Sequence, residues 1–220
     1  MPFCVFGVIL MKLYDFELAP NPRRVRIFLA EKNITIPTVQ INTRNREQFS
    51  EEFKAINPFS LLPVLELEDG TFIGESTAIC RYFELLHPEP ALMGRDTREK
   101  AIVEMWDRRA ELEGMSAAGE IVRNALPMFE GRGVAGVPDG FPQIPALVER
   151  GKKRMIRFFE FWDRQLSANK FVAGSNFSIA DITSFAAIDF AKRAEVMIPE
   201  NCQHLARWYA EVSSRESAKS

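Results

Sequence analysis

Histidine and cysteine are scarce in this chain. Its 220 residues include two histidines, His87 and His204, and three cysteines, Cys4, Cys80 and Cys202. Two isolated histidines leave too little for a histidine-based triad or a metal site. The cysteines are odd in number and far apart, with no Cys-x-x-Cys pair and no His-Cys cluster. Neither a structural zinc site nor a redox dithiol is supported, and a reducing cytoplasm is the expected compartment. Cys80 falls on an apolar helix face, where a core role is expected. A strong excess of either charge is also missing: the net charge is −2, which gives no electrostatic case for nucleic acid or for an acidic membrane surface. Internal repeats and low-complexity tracts are absent. The first ten residues are almost wholly apolar, yet they lack the basic front and cleavage pattern of a signal peptide and are too short to span a bilayer. Met11 directly precedes the first sensible strand and is the expected natural start, with residues 1–10 an extension.

What is present is enough chain to bury a sizeable core in one large or two small domains. Residues 12–16 read as a strand. Ala19-Pro20-Asn21-Pro22 is a turn into a helix that runs to about Lys32, with Asn21 suited to the N-cap and Pro22 to the first helical position. Residues 37–41 form a second strand and residues 46–56 a polar helix. Residues 62–68 and 71–74 are a hairpin joined at Asp69-Gly70, a two-residue turn that needs φ > 0 at both positions. Glu75-Ser76 then opens a helix with Ala78, Ile79, Tyr82, Phe83 and Leu86 at helical spacing. The order is βαβαββα: an α/β unit with a small mixed sheet and helices on both faces. His87-Pro88-Glu89-Pro90 ends it, and everything after about Asp96 is helical. Residues 97–126 place Met105, Leu112, Met115, Gly119, Val122 and Leu126 on one stripe. Residues 127–145, rich in glycine and proline, are an irregular loop. Residues 146–167 turn Met155, Phe158, Phe159, Trp162 and Leu166 inward. Ser178 and Asp181 form a capping box with Phe177 and Ile182 as its staple, and residues 202–213 are the last helix.

The stretch 57–84 carries the first chemical signal. A proline at the start of a strand leaves the backbone N–H and C=O of Leu62 free to pair with an extended peptide. The sequence leaves the isomer of the Leu62–Pro63 bond open. Ser76 at a helix start offers a hydroxyl and amides to a carboxylate, and Glu75 beside it could hold an amino group. The alternative is ordinary: Ser76 a helix cap, Glu75 a first-turn acid.

Asn57-Pro58, Pro63-Val64-Leu65, Asp69-Gly70 and Glu75-Ser76-x-Ala78-Ile79 stand at the spacing of the glutathione-binding half of the cytosolic glutathione transferases, and the chain resembles that family over nearly its whole length. The resemblance implies a thioredoxin-like domain over residues 11–86 and an all-helical bundle domain over residues 97–213. It also implies glutathione as co-substrate, no metal or redox cofactor, and a homodimer. The expected reaction is addition of the glutathione thiolate to a small, largely apolar electrophile. The alternatives are glutathione-dependent disulfide or peroxide reduction, and a glutathione-binding or interaction protein without turnover. Ser178 and Asp181 match the family's capping motif and are assigned to folding.

A free thiol titrates at about pH 8.5, so donors and a positive potential are needed at the sulfur. The family usually supplies a Tyr, Ser or Cys before the first helix. Ala19 stands at the usual serine or cysteine position here, and Tyr14 on the first strand is a weak substitute. Ala19-Pro20-Asn21 resembles the loop of the nu-type bacterial transferases and their fungal nitrogen-regulator relative. That implies Asn21 facing the sulfur with its amide as donor. Asn21 as a helix cap is the competing and compatible reading; a water held by the helical half, with Ser116 as its hydroxyl, is a third. By position Gln48 would meet the glycyl carboxylate, or else lie on a solvated helix face. Leu61 replaces a lysine that often serves the same carboxylate, a loss that Arg23 or a second subunit could offset. The electrophile pocket is expected between the domains, with Met105, Trp106 and Arg109 as candidates and packing as the alternative for the Met-Trp pair.

Overall fold

The computed structural model describes residues 11–220. The expectation for residues 1–10, and Cys4 with them, lies outside the described residues. Strand β1 (Lys12–Asp15) leads through α1 (Pro20–Glu31) to β2 (Thr38–Gln40), which lies parallel to it. A 3₁₀ turn (Glu47–Phe49), α2 (Glu51–Ile56), β3 (Val64–Glu66), β4 (Phe72–Gly74) and α3 (Ser76–Leu86) follow. The sheet order is β2-β1-β3-β4, with β3 antiparallel to both its neighbours. This is the expected βαβαββα order. Side chains alternate across the strands: Leu13 and Leu65 bury against Val25 and Phe28 of α1 and Ile79 and Phe83 of α3, while Tyr14 and Val64 bury against Phe53 of α2.

Three local readings change. The polar helix of residues 46–56 is split, because Ser50 caps α2 by accepting from the Phe53 amide at 3.1 Å. The hairpin loop is longer than two residues. Gly70 N–H bonds Leu67 O at 3.0 Å and Leu67 N–H bonds Thr71 O at 2.8 Å, and only Gly70 has φ > 0. Glu68-Asp69-Gly70 is thus a three-residue loop ending in a left-handed glycine, and the Asp69 carboxylate accepts from Thr71 N–H at 2.9 Å. The third concerns residues 97–126. They form α4 (Thr97–Arg109), a π-helical turn (Ala110–Met115) and α5 (Ser116–Ala125). The extra residue per turn in the π segment shifts the helix phase. Met105 and Leu112 therefore lie about half exposed; of that stripe Val122 is buried, together with Ala110, Ala117, Ala118 and Ile121. Gly114 is needed where it stands: a Cβ there would come within 2.9 Å of the Phe158 ring.

Helix α6 (Pro145–Ala168) buries Met155, Phe158, Phe159, Trp162 and Leu166 as expected. Helix α7 (Ile179–Lys192) runs through the centre of the helical half. Asp181 accepts from Ser178 N–H at 3.0 Å, and also from Val172 N–H and the Trp208 indole, so the capping carboxylate doubles as a buried pin for α8 (Gln203–Ser213). A last 3₁₀ turn (Glu216–Lys219) returns to α1, where Glu31 holds Arg215 and Ser217. Cys80 and Cys202 are free and buried, and burial pushes the Cys80 thiol far up.

Candidate active site

A cleft of about 1040 Å³ opens between the sheet half and the helical half. Its walls are the turn before α1, the 3₁₀ turn at Gln48, the Leu61–Leu62 segment and the start of α3, faced by the π turn, α5 and residues 128–137.

The local sequence decides what the start of α1 can offer. The cap is Ala19, not Asn21, and its methyl group makes no capping bond. Pro20 and Pro22 have no N–H, and Arg23 N–H is already bonded to Ala19 O. Of the helix's first amides only that of Asn21 remains without a partner among the described residues. Its side-chain Oδ1 accepts from Arg24 Nη1 at 3.4 Å. That contact orients the amide and leaves the Nδ2 hydrogens free at the exposed side of the cleft.

Helix α3 starts differently. Glu75 is its N-cap, in a left-handed conformation with φ 65°. Such a backbone costs a non-glycine residue roughly 1–3 kcal/mol and persists where the surroundings fix it. Ser76 is the first helical residue rather than the cap; it is buried, and its hydroxyl donates to Asn21 O at 3.2 Å. The first helical hydrogen bond is made by Ile79 N–H to Glu75 O, so the amides of Ser76 and Thr77 point free at the helix end. Leu62, before a cis Pro63, makes no backbone hydrogen bond among the described residues. Gln48 is buried on the 3₁₀ turn instead of lying on a solvated face. Its Oε1 is the one buried side-chain polar atom without a partner among the described residues.

Other candidates are placed elsewhere. The Tyr14 hydroxyl donates to Glu66 at 2.7 Å beneath the sheet, where burial pushes its pKa up. Arg23 is engaged by Asp189 and by Ala218 O, so it is not free to replace the missing lysine. Ser116 does line the cleft. Met105, Trp106 and Arg109 do not: they border a separate cavity of about 430 Å³ against α6, where Trp106 packs edge-on to Trp162 at 5.6 Å. The π turn is the reason, since it brings Leu112, Met115 and Gly119 to the cleft in their stead.

Sequence reasoning gave Arg24 no role. Its side chain is 4% exposed and bonds Thr183 Oγ1 at 3.1 Å, Thr77 Oγ1 at 3.1 Å and Glu111 at 2.9 Å, with Asp107 at 3.8 Å. Only the folded interface brings α1, α3, the π turn and α7 around one guanidinium. The one available signal was an arginine inside the apolar face of α1. Burial pushes the Asp107 carboxyl up to about 6, outweighing Arg24 and the Thr183 hydrogen bond, which pull it down. Because the folded pKa lies above the unfolded one, this group's stabilising contribution is complete below about pH 4 and declines as pH rises through about 6. Asp107→Asn cannot ionise. Its melting temperature relative to the unaltered protein is expected to improve from about pH 4 to just above pH 6 and to level off from there to pH 8; a pH-independent difference would show that Asp107 is ionised throughout.

Among the described residues, no group of three or more His, Cys, Asp or Glu is arranged to hold a metal ion, and no helix is long and apolar enough to cross a membrane. Residues 19–86 match the family described as glutathione S-transferase, N-terminal domain, and residues 135–216 match glutathione S-transferase, C-terminal domain. The chain is 36% identical over 211 residues to glutathione S-transferase 2 of Saccharomyces cerevisiae, across 95% of this chain and 88% of that protein. The solved structure of Gtt2 from Saccharomyces cerevisiae superposes with a TM-score of 0.86 at 35% identity, covering 94% of this chain and 98% of that one. A glutathione S-transferase domain-containing protein of Marinobacter aquaeolei gives the same TM-score, 0.86, identity, 35%, and coverage, 94% and 98%.

Proposed function

The chain belongs to the glutathione S-transferase family, and on that premise we propose that it adds the glutathione thiolate to small electrophiles, with residues 11–86 holding glutathione and residues 97–213 forming the second wall. One observation carries the assignment of the site. Hydrogen-bonding groups with unused capacity line one cleft: the Asn21 amides, the Leu62 backbone, the Gln48 side chain and the free amides at the start of α3. Together they suit a short, extended, doubly charged peptide. The γ-glutamyl carboxylate sits on the Ser76 and Thr77 amides, where the helix dipole favours an anion. Glu75 takes the γ-glutamyl ammonium, Leu62 pairs with the cysteinyl backbone, and the Gln48 side-chain N–H₂, rather than its unpartnered Oε1, donates to the glycyl carboxylate. Asn21 donates to the sulfur. In the reaction the thiol proton leaves to water, the sulfur lone pair forms the S–C bond, and the leaving group departs with its electron pair. No metal or redox cofactor enters the proposal. A homodimer and a cytoplasmic location, which the resemblance and the cysteine usage imply, belong to the same reading.

Ser76→Ala tests it. In the complex the hydroxyl turns from Asn21 O to the γ-glutamyl carboxylate beside the amides. A hydrogen bond to a charged group is worth about 1.5–3 kcal/mol against about 1 kcal/mol for the bond given up, so glutathione affinity measured by calorimetry should fall at least several-fold with the fold retained. Unchanged affinity would discard the site. Turnover of a chlorinated aromatic, a mixed disulfide and a hydroperoxide, compared side by side, separates conjugation from the reductase that the Ala19-Pro20-Asn21 loop also allows, and from a binding protein that turns over none.

A further inference from the structure

The cleft has the opposite charge to the molecule around it. Six arginines line it, Arg24, Arg44, Arg108, Arg123, Arg132 and Arg193, against two carboxylates, Glu75 and Glu111, in a chain whose net charge is −2. Glu111 is already paired with Arg24 and with Arg108 at 3.1 Å. Arg123 in the last turn of α5 and Arg132 on the following loop have no carboxylate within 4 Å among the described residues. Both guanidiniums lie against one ring: the Arg123 carbon is 4.9 Å and the Arg132 carbon 5.9 Å from the Phe129 centroid. Arg123 Nη1 donates to Arg132 O at 3.0 Å and Arg132 Nη2 to Met128 O. Each guanidinium has five N–H donors, and no guanidinium nitrogen is buried without a partner among the described residues. The unpartnered nitrogens are therefore accessible, and both side chains line the cleft. Burial, and next the neighbouring Arg132, push the Arg123 pKa down. Two adjacent cations held against one ring, one of them largely buried, are costly unless an anion joins them.

We propose that Arg123 and Arg132, both held against the Phe129 ring, form an anion subsite on the helical wall of the cleft, and that the preferred electrophile is an aromatic bearing a carboxylate. Planar guanidiniums bind carboxylates through paired donors. Phe129, Leu112 and Met115 give the same wall apolar area for the ring. This replaces the largely apolar electrophile that the resemblance implies, and it rests on the glutathione assignment above. The glutathione carboxylates are placed on the sheet half, at α3 and Gln48, so they do not account for a cation pair on α5 and its loop.

The test compares two glutathione conjugates by calorimetry, S-benzylglutathione and S-(4-carboxybenzyl)glutathione. The unaltered protein is expected to bind the carboxylated conjugate about tenfold more tightly or better, the gain typical of one charge-assisted pair. Arg132→Met and Arg123→Met should each remove most of that preference and cost the neutral conjugate far less. In the same variants, kcat/KM for 4-chloro-3-nitrobenzoate should fall more than for 1-chloro-2,4-dinitrobenzene. Arg132 is the more exposed of the two and carries the test should Arg123→Met not fold. No preference in the unaltered protein, or a preference that survives both substitutions, overturns the proposal. Equal weakening of both conjugates, with a raised pKa of bound glutathione, also overturns it and assigns the pair to the sulfur. If the unaltered protein binds neither conjugate, the glutathione assignment itself falls, an outcome distinct from binding both equally.

Discussion

Arg24→Met is expected to destabilise the protein by about 3–5 kcal/mol at pH 8, the usual consequence of removing one partner from a buried ion pair. Methionine matches much of the side chain's volume, so lost packing is a small part. The main cost is Asp107, left ionised at 3% side-chain exposure with no cation beside it. Glu111, Thr77 and Thr183 lose a donor at the same time. Protonation softens the loss. The Asp107 carboxyl titrates near 6 in the intact protein, so at pH 5 it is largely neutral and the substitution should cost clearly less than at pH 8. Urea unfolding at both pH values measures this. Asp107→Asn in the Arg24→Met background should recover part of the stability at pH 8, because the stranded charge is gone. A loss under about 1 kcal/mol at pH 8 would instead place these groups in the class of solvent-screened pairs. Glutathione turnover should fall as well, since Arg24 orients the Asn21 amide.

Asn21→Ala is expected to raise the pKa of bound glutathione by roughly one to two units, since one donated bond to a charged sulfur is worth about 1.5–3 kcal/mol. The thiolate absorption in the ultraviolet would weaken at neutral pH. Ala19, not Asn21, caps α1, so the substitution should leave the melting temperature almost unchanged, and the titration reads chemistry rather than folding. Asn21→Asp sharpens the test: it keeps an acceptor for Arg24 but removes the Nδ2 donor and sets a negative charge near the sulfur. Its thiolate pKa should rise at least as far. If both variants bind glutathione and titrate like the unaltered protein, the side chain is idle. The backbone N–H of Asn21, or a water held at Ser116, would then activate the thiol.

Much of this was legible in sequence because it depends on short-range rules. Alternation, turn residues and capping boxes act within a few positions. Hence the βαβαββα order, the buried face of α6 and the Ser178–Asp181 box emerged from the chain directly. Leu62, Glu75 and Ser76 were offered as a ligand site by the chain itself and Gln48 by a resemblance, and the structure lines all four along one cleft. Boundaries were less secure: Ala19 caps α1 because extended backbone there suffices even without a capping side chain, and a π turn cannot be read from periodicity that assumes 3.6 residues per turn. The π turn moved Met105, Trp106 and Arg109 out of the cleft. Arg24 had no role in the sequence, because Asp107, Glu111 and Thr183, dozens of residues away, close around it only in the fold. Arg123 and Arg132 were unremarked, since nothing local distinguishes two arginines nine positions apart, one on a helix and one on a loop. Local sequence thus determined the elements and their caps, whose energies are set by neighbours along the chain. The tertiary structure alone decided which charges are buried, paired or left facing the cleft, because desolvation and Coulomb energy depend on distances through space.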